Sequence, residues 1–160
     1  MASAVQRIAL YPGTFDPVTL GHEAIVKRAL PLFDRIVVAI GYNAKKPDSY
    51  FSLEQRLDML QRVFGALPQV EVRHYSGLTT DFCHQVGARF ILRGLRSSAD
   101  FSYERNIAQA NNTLAPEIET VFIISSPGLS NINSSIVRDI HRNGGPISAF
   151  LPEALHALFK

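Results

Sequence analysis

Several segments of the sequence combine glycines with side chains that bind phosphate. The longest, Tyr-Pro-Gly-Thr-Phe-Asp-Pro-Val-Thr-Leu-Gly-His, spans residues 11–22. It follows an apolar run and opens a helical pattern, an arrangement that presents backbone N–H groups to a phosphate. Thr14 adds a hydroxyl, and His22 would stabilise a phosphoryl group either as a cation or as a neutral N–H donor. A glycine-rich turn with a capping Thr19 and a surface histidine is the alternative interpretation.

A pair of arginines forms the second such segment. Neither G-x-G-x-x-G nor G-x-x-x-x-G-K-[ST] occurs in the chain, so the usual dinucleotide and P-loop interpretations fail. Arg93 and Arg96 flank a glycine at the end of an apolar run. Because the planar guanidinium matches phosphate geometry, this spacing indicates an anion site. Structural ion pairs with Asp100 or Glu104 are the alternative.

Lysines and serines in two further loops extend the set. Lys45 and Lys46 follow another apolar run, where a lysine pair is usually just solvated. Ser134 and Ser135 precede a helical pattern. Their hydroxyl and N–H groups could hold a β- or γ-phosphate, or they could simply cap the helix, which is worth about 1 kcal/mol per cap.

The elements that position these segments alternate along the chain. Five short apolar runs are typical of strands covered on both faces: residues 7–11, 35–40, 70–75, 89–92 and 120–124. Helices are predicted at residues 21–33, 80–86, 100–114, 134–143 and 152–159, with another that begins at a capping box formed by Ser52 and Gln55. This order predicts an α/β protein with a Rossmann-like, doubly wound, parallel five-stranded sheet and C-terminal helices. Ligands bind such sheets outside the carboxyl ends of the strands.

Composition narrows the class of protein. A chain of 160 residues with 46% hydrophobic and 19% charged residues predicts one folded domain over residues 1–160. The net charge of +2 is too small to indicate nucleic acid or a membrane surface as partner. Cys83 is the only cysteine, and no signal pattern opens the chain, so we expect a cytoplasmic protein.

The Cys83–His84 pair lacks further metal ligands. Phe101 and Tyr103 are expected in the core.

The first segment carries a family resemblance. Gly-Thr-Phe-Asp-Pro followed by Thr-x-Gly-His, at residues 13–17 and 19–22, resembles the signature of the nucleotidyltransferase superfamily related to class I aminoacyl-tRNA synthetases. Thr19 stands where that superfamily's phosphate-binding His-x-Gly-His motif has its first histidine. This variant and the chain length resemble the phosphopantetheine adenylyltransferase family, from about Arg7 to the C-terminal helix. The resemblance implies transfer of the adenylyl group of ATP to 4′-phosphopantetheine, which gives dephospho-coenzyme A and pyrophosphate without a covalent enzyme intermediate.

The resemblance also implies a role for individual residues. His22, Lys46 and Thr14 would be catalytic, with Lys45 as an alternative to Lys46. The substrate-binding residues would be Thr14, Lys46, Thr79 and Arg93. The ATP-binding residues would be Thr14, Phe15, His22, Gly94, Leu95, Arg96, Glu104, Leu129, Ser130, Asn131, Ile132, Asn133, Ser134 and Ser135.

Three residues depart from the family pattern. Ala44 replaces a proline in the lysine loop, and Leu129 stands where many relatives carry an aromatic residue near the adenine. Asn133 replaces the first serine of an Ile-Ser-Ser-[Ser/Thr]-x-x-Arg motif that ends here at Arg138. 

Cofactor and partners follow from the same resemblance. It implies Mg²⁺ bound with ATP rather than in a protein cage, a homohexamer built as a dimer of trimers, and coenzyme A as a candidate inhibitor. A transferase for another acceptor, such as nicotinate mononucleotide, remains a rival. Those relatives tend to resemble Gly-Gly-Thr-Phe-Asp-Pro-x-His-x-Gly-His, whereas this chain has Tyr11-Pro12-Gly13 and Thr19. A non-catalytic nucleotide-binding module is the second rival and would predict a broken site.

Overall fold

A computed structural model describes residues 5–43 and 48–159 of the chain. Five parallel strands form one sheet, in the order β3-β2-β1-β4-β5. The strands are β1 Ile8–Gly13, β2 Arg35–Gly41, β3 Val70–Tyr75, β4 Phe90–Leu95 and β5 Glu119–Ile124. The helices are α1 Leu20–Ala29, α2 Leu53–Phe64, α3 Thr79–Val86, α4 Ser98–Leu114 and α5 Ser134–Arg142, followed by 3₁₀-helices at Ser148–Phe150 and Glu153–Leu158. The predicted α/β fold with a parallel five-stranded sheet is confirmed.

The central strand β1 is buried on both faces, which explains its unbroken apolar sequence. Ala9 and Tyr11 belong to the apolar cluster on one face of the sheet, and Ile8 and Leu10 to the cluster on the other. Successive side chains of a strand point to opposite faces, so a strand between two helical layers needs apolar residues at every position. 

The helix α2 begins as its sequence predicts. The Gln55 backbone N–H donates to Ser52 Oγ at 3.1 Å, and the Ser52 N–H donates to Gln55 Oε1 at 2.9 Å. This reciprocal capping box satisfies two N–H groups that have no partner inside the helix. At the other end, Leu60 and Phe64 are fully buried. The capping box therefore fixes the start of the helix whose Leu60 and Phe64 side chains pack into the core.

Two predicted helices are wrong in extent or type. The first helix ends at Ala29 rather than at residue 33, because Pro31 has no N–H for a helical hydrogen bond and disfavours helical geometry at the residue before it. The segment predicted as an α-helix at 152–159 is a 3₁₀-helix, preceded by Pro152 with an extended ψ of 144°. Short 3₁₀ segments of this kind commonly connect or terminate larger elements.

The prediction that Phe101 and Tyr103 lie in the core is also wrong. Both side chains are exposed on α4, whose only buried residue is Glu104. This helix begins at Ser98, two residues before the predicted start, because the Ser97 side chain accepts a hydrogen bond from the Asp100 N–H and caps it. The sheet therefore covers only a narrow stripe of α4.

The last 3₁₀-helix should contribute to stability through a single side chain. Leu155 is fully buried in the core cluster, whereas Leu158 is 43% exposed in the same helix. We expect Leu155→Ala to lower the free energy of unfolding by about 2–5 kcal/mol, because it leaves a cavity. The matched Leu158→Ala should cost less than about 0.5 kcal/mol. Urea denaturation of both variants measures the difference, and equal effects would contradict the packing described here.

Candidate active site

The candidate site lies where the strand order reverses. From β1 the chain moves outward to β2 and β3, and then crosses back to place β4 and β5 on the other side of β1. Such a reversal leaves a crevice at the carboxyl ends of the two inner strands. A cavity of about 810 Å³ occupies this crevice, and its walls come from the ends of β1, β2 and β4 and from the starts of α1 and α5.

The His22 side chain is held as a neutral donor. The Thr19 backbone N–H donates to His22 Nδ1 at 3.0 Å, so the ring proton resides on Nε2. Burial, followed by the positive charges of Arg96 and Arg93, lowers the pKa of His22 to about 4. Of the two roles that the sequence left open, this geometry favours the neutral N–H donor.

The loop between β1 and α1 packs under this histidine. Phe15 has a positive φ of 46°, a conformation that L-residues seldom adopt. Its ring is buried, 5.4 Å from the Tyr11 ring and 5.0 Å from the His22 ring between centroids, with edge-to-face geometry in both pairs. These ring contacts stabilise the turn that places Thr14 at the cavity wall.

The carboxylate of Asp16 joins this loop to the segment that follows the lysine loop. The backbone N–H groups of Tyr50 and Phe51 donate to its two oxygens at 2.7 and 2.8 Å. Asp16 is itself buried, so these bonds replace the water that its charge would otherwise need. The two segments are therefore fixed relative to each other.

Two arginines brace the same loop from the other side, and the sequence did not mark either as a site residue. Arg56 Nη1 donates to the Thr14 carbonyl at 2.8 Å, and Arg138 Nη1 donates to the Asp16 carbonyl at 2.7 Å. Arg56 is only 3% exposed; burial lowers its pKa, and the nearby charge of Asp16 opposes this. Arg138 ends a motif that could have indicated it, but Arg56 lies within an ordinary helical pattern and carries no such signal.

The arginine pair forms both of the ion pairs that its structural interpretation predicts. Arg93 contacts Glu104 through Nε at 2.8 Å and Nη2 at 2.6 Å, and its Nη1 donates to the Pro12 carbonyl at 2.6 Å. Arg96 Nε lies 3.2 Å from Asp100 Oδ2, which also accepts the Arg96 backbone N–H at 3.0 Å. Both arginines nevertheless line the cavity.

The start of α5 supplies hydroxyl groups to the opposite wall. Asn133, rather than either serine, caps this helix: its Oδ1 accepts the Ile136 N–H at 2.9 Å. Ser134 Oγ donates to the Pro17 carbonyl at 2.8 Å, and Ser135 Oγ accepts from Arg138 Nη2 at 3.1 Å. The helix-cap alternative for the two serines is therefore wrong.

The cavity brings together most of the residues singled out from the sequence. Those that line it are Thr14, Phe15, His22, Arg93, Gly94, Arg96, Glu104, Ile132, Asn133, Ser134 and Ser135. Leu95, Leu129, Ser130 and Asn131 do not line it. Lys46, its alternative Lys45, and Ala44 lie outside the described residues.

A second cavity of about 290 Å³ adjoins the first and shares Thr14, Arg93 and Glu104 with it. Thr79 lines this cavity, and its Oγ1 lies 2.9 Å from the Tyr75 hydroxyl. Thr79, predicted to bind substrate, therefore lies next to the main cavity, in a cavity that also reaches Thr14 and Arg93.

Within residues 5–43 and 48–159, no group of three or more His, Cys, Asp or Glu side chains could hold a metal ion. Burial raises the pKa of the Cys83 thiol to about 12, and His84 Nε2 lies 2.6 Å from Glu117 Oε1. No helix in these described ranges is long and apolar enough to cross a membrane.

Comparison with known proteins extends these observations. A family model described as cytidylyltransferase-like matches residues 10–140. The phosphopantetheine adenylyltransferase of Cytophaga hutchinsonii is 48% identical over 148 residues, which cover 92% of this chain and 98% of that protein. The phosphopantetheine adenylyltransferase of Flavobacterium psychrophilum is 52% identical over 149 residues, which cover 93% of this chain and 97% of that protein.

Solved structures show the same fold at lower identity. The crystal structure of a bifunctional NMN adenylyltransferase/ADP ribose pyrophosphatase from Francisella tularensis matches with a TM-score of 0.66 and 20% identity. The match covers 91% of this chain but only 45% of that one, so this chain corresponds to less than half of the bifunctional protein. At this identity the similarity concerns the fold alone.

The ionisation of His22 can be tested directly. We expect its ring to stay neutral, in the Nε2–H form, until the pH falls towards about 4, because burial and two arginines disfavour the cation. An unfolded histidine takes up its proton near pH 6.5. The folded state should therefore lose stability as the pH falls through the window between these two values. Ring ¹⁵N NMR titration, with His22→Gln to assign the signal, measures this; a midpoint near 6.5 would contradict it.

Proposed function

The chain belongs to the cytidylyltransferase-like family and, within it, to the phosphopantetheine adenylyltransferases, and from this membership we propose how its residues perform the reaction. The enzyme is a nucleotidyltransferase of coenzyme A biosynthesis. It transfers the adenylyl group of ATP to 4′-phosphopantetheine, giving dephospho-coenzyme A and pyrophosphate. The rival acceptor and the non-catalytic module both lose support, because the relatives that match nearly the whole chain carry this name.

One observation carries the proposed mechanism: the Nε2–H of neutral His22, the Thr14 loop and the Arg93 and Arg96 guanidinium groups line a single cavity at the switch point. A phosphate oxygen of the acceptor attacks the α-phosphorus of ATP in line. The bond from the α-phosphorus to the bridging oxygen breaks, and pyrophosphate leaves with the electron pair. A phosphate monoester has a second pKa near 6 and is already anionic, so no general base and no covalent enzyme intermediate are needed.

The charged groups divide between the two substrates. Arg93, held in place by Glu104, orients the acceptor's phosphate. Arg96, Ser134 and Ser135 hold the leaving polyphosphate, supported by the N-terminal N–H groups of α5. His22 donates from Nε2 to an oxygen of the α-phosphoryl group, where negative charge is redistributed in the transition state. Lys46 is assigned to the same phosphates on the family resemblance alone.

The other ATP contacts are also proposed from the family resemblance. Some of these residues line the cavity and others do not. Phe15, Gly94, Ile132 and Asn133 line the cavity, which is consistent with nucleotide contact. Glu104 has both oxygens engaged by Arg93, so it would meet the nucleotide only alongside that pairing. The remaining residues, Leu95, Leu129, Ser130 and Asn131, stay predictions.

The proposed Mg²⁺ would be carried by ATP. In the described part of the chain no cluster of carboxylates could serve as a resident cage, and Asp16 already uses both oxygens for backbone N–H groups. This donor set fits a cation that is held by substrate phosphates and water. When bound there, it would neutralise part of the polyphosphate charge.

The proposed homohexamer is supported by exposed apolar side chains on α4 and β5. Phe101, Leu114 and Ile124 are 44%, 61% and 71% exposed, and Phe101 packs edge-on against Phe122. In the described part of the chain, the outer edge of β5 has no neighbouring strand. Exposed apolar surface and an open sheet edge are features that assembly covers. Inhibition by coenzyme A and a cytoplasmic location stay predictions.

The activity is tested by pyrophosphate release from ATP and Mg²⁺, with 4′-phosphopantetheine and nicotinate mononucleotide supplied separately. We expect release with the first acceptor only, together with a product of the mass of dephospho-coenzyme A. Release with nicotinate mononucleotide alone would overturn the acceptor and the role of Arg93. Folded protein that binds ATP but is silent with both would refute transferase activity.

His22→Ala tests the proposed donor. We expect kcat to fall by about 10²–10³-fold, as for other donors that stabilise charge in a transition state, with a modest change in ATP affinity. His84→Ala is a matched control, because His84 is an exposed histidine paired with Glu117 outside the cavity. Near-normal turnover of His22→Ala would exclude the role.

Sedimentation velocity tests the assembly. We expect the protein to sediment as about six chains of 17.7 kDa each. Phe101→Arg should shift it towards smaller species, since a buried unpaired charge is unfavourable at an apolar interface. Leu32→Arg is the control, an equally drastic change at an exposed position outside α4 and β5. A monomeric wild-type protein would refute the hexamer.

A further inference from the structure

The Tyr11 hydroxyl is a polar group at the wall of the main cavity that the mechanism above does not use. Tyr11 is 4% exposed and lines the main cavity. Within residues 5–43 and 48–159 its hydroxyl has no hydrogen-bond partner, and it is not among the fully enclosed side-chain atoms that lack one, so it is open to the cavity. An unsatisfied hydroxyl at a cavity wall is positioned to bind a ligand.

The packing of Tyr11 directs this hydroxyl into the cavity. Its backbone lies in β1, where Tyr11 pairs with Val38 of the neighbouring strand β2. Its ring is covered by Phe15, with centroids 5.4 Å apart, and lies 6.4 Å from the His22 ring. The end of the side chain is therefore the part that remains free to reach the cavity.

The charges around Tyr11 select the kind of ligand. Burial raises the pKa of the phenol above its usual value, and the opposing effects of Arg93 and Arg96 do not cancel this. Glu104 raises it further. The group therefore stays an O–H donor at neutral pH. A donor with two guanidinium groups nearby complements an anionic oxygen rather than a cation.

We propose that the Tyr11 hydroxyl is a further substrate-binding group, which donates a hydrogen bond to an anionic phosphoryl oxygen lying between His22 and the two arginines. This inference rests on the proposed function for the identity of its ligand. ATP and the acceptor both carry phosphoryl oxygens, so the chemistry is shared and the experiment must separate the two sources.

Tyr11→Phe is the decisive variant, because it removes one atom and keeps the ring that packs on Phe15. A hydrogen bond to a charged group contributes enough that kcat/KM should fall by about 10–100-fold. The melting temperature should not fall, since the hydroxyl has no protein partner in the described ranges to lose. Tyr103→Phe removes the same atom from an exposed ring and should leave activity unchanged.

Separate measurements show whether Tyr11 contacts a phosphoryl oxygen of ATP or of the acceptor. They also test the Tyr11 contact independently of the proposed function. Calorimetry measures ATP affinity without the acceptor, and steady-state kinetics gives KM for each substrate and kcat. A loss confined to ATP binding, to the acceptor KM or to kcat supports the contact and locates it on ATP, on the acceptor or in the transition state. If ATP affinity, both KM values and kcat of Tyr11→Phe all stay within twofold of wild type, the proposed Tyr11 contact is overturned.

Two further outcomes complete the test. A marked fall in the melting temperature of Tyr11→Phe overturns the inference, because the hydroxyl would then have a partner inside the protein. Wild-type protein that releases no pyrophosphate with either acceptor refutes the proposed function instead. In that case the calorimetric arm with ATP alone still decides for or against the Tyr11 contact.

Discussion

The buried carboxylate of Asp16 is the contact on which the rest of the site depends. It accepts two backbone N–H groups from the segment before α2, while Arg56 and Arg138 donate to carbonyls of its own loop. A charge removed from water needs such partners, and each partner here also fixes a piece of backbone. The turn at Phe15, the position of Thr14 and the base on which the His22 ring rests all follow from this set of bonds.

The same cationic surroundings that suit phosphates determine how His22 can act. In the proposed mechanism Arg93 and Arg96 attract anionic substrates into the cavity. In the structure, burial of the His22 ring and the charges of these arginines disfavour an imidazolium. A hydrogen bond from the Thr19 N–H to Nδ1 fixes the remaining ring proton on Nε2. The cationic charge therefore resides on the arginines, and under the proposed mechanism the histidine would supply a directed donor that needs no reorganisation during the reaction.

Short sequence patterns predicted the strands and the start of α2, because each pattern reflects interactions among residues close together in the chain. Apolar runs mark strands covered on both faces, and Ser52 with Gln55 caps α2 in the structure as in the sequence. Long-range partners explain the failures. Arg56 occupies an ordinary helical position, and only the folded chain shows that its guanidinium meets the Thr14 carbonyl 42 residues away. Phe101 is apolar yet exposed, because Glu104 is the only residue of α4 that the rest of the described chain buries.

For Arg93, ion pairing and phosphate binding are compatible. The guanidinium has five N–H donors. Glu104 accepts one from Nε and one from Nη2, and the Pro12 carbonyl accepts one from Nη1. One N–H remains on each terminal nitrogen. Without Glu104, the Arg93 cation would keep the Pro12 carbonyl but would have no anionic partner whenever the site was empty. With Glu104 in place the planar group is already oriented, so less conformational entropy would be lost if it binds the phosphate as proposed. The ion pair with Glu104 is therefore compatible with the phosphate-binding role proposed for Arg93, and it would support that role by fixing the guanidinium in advance.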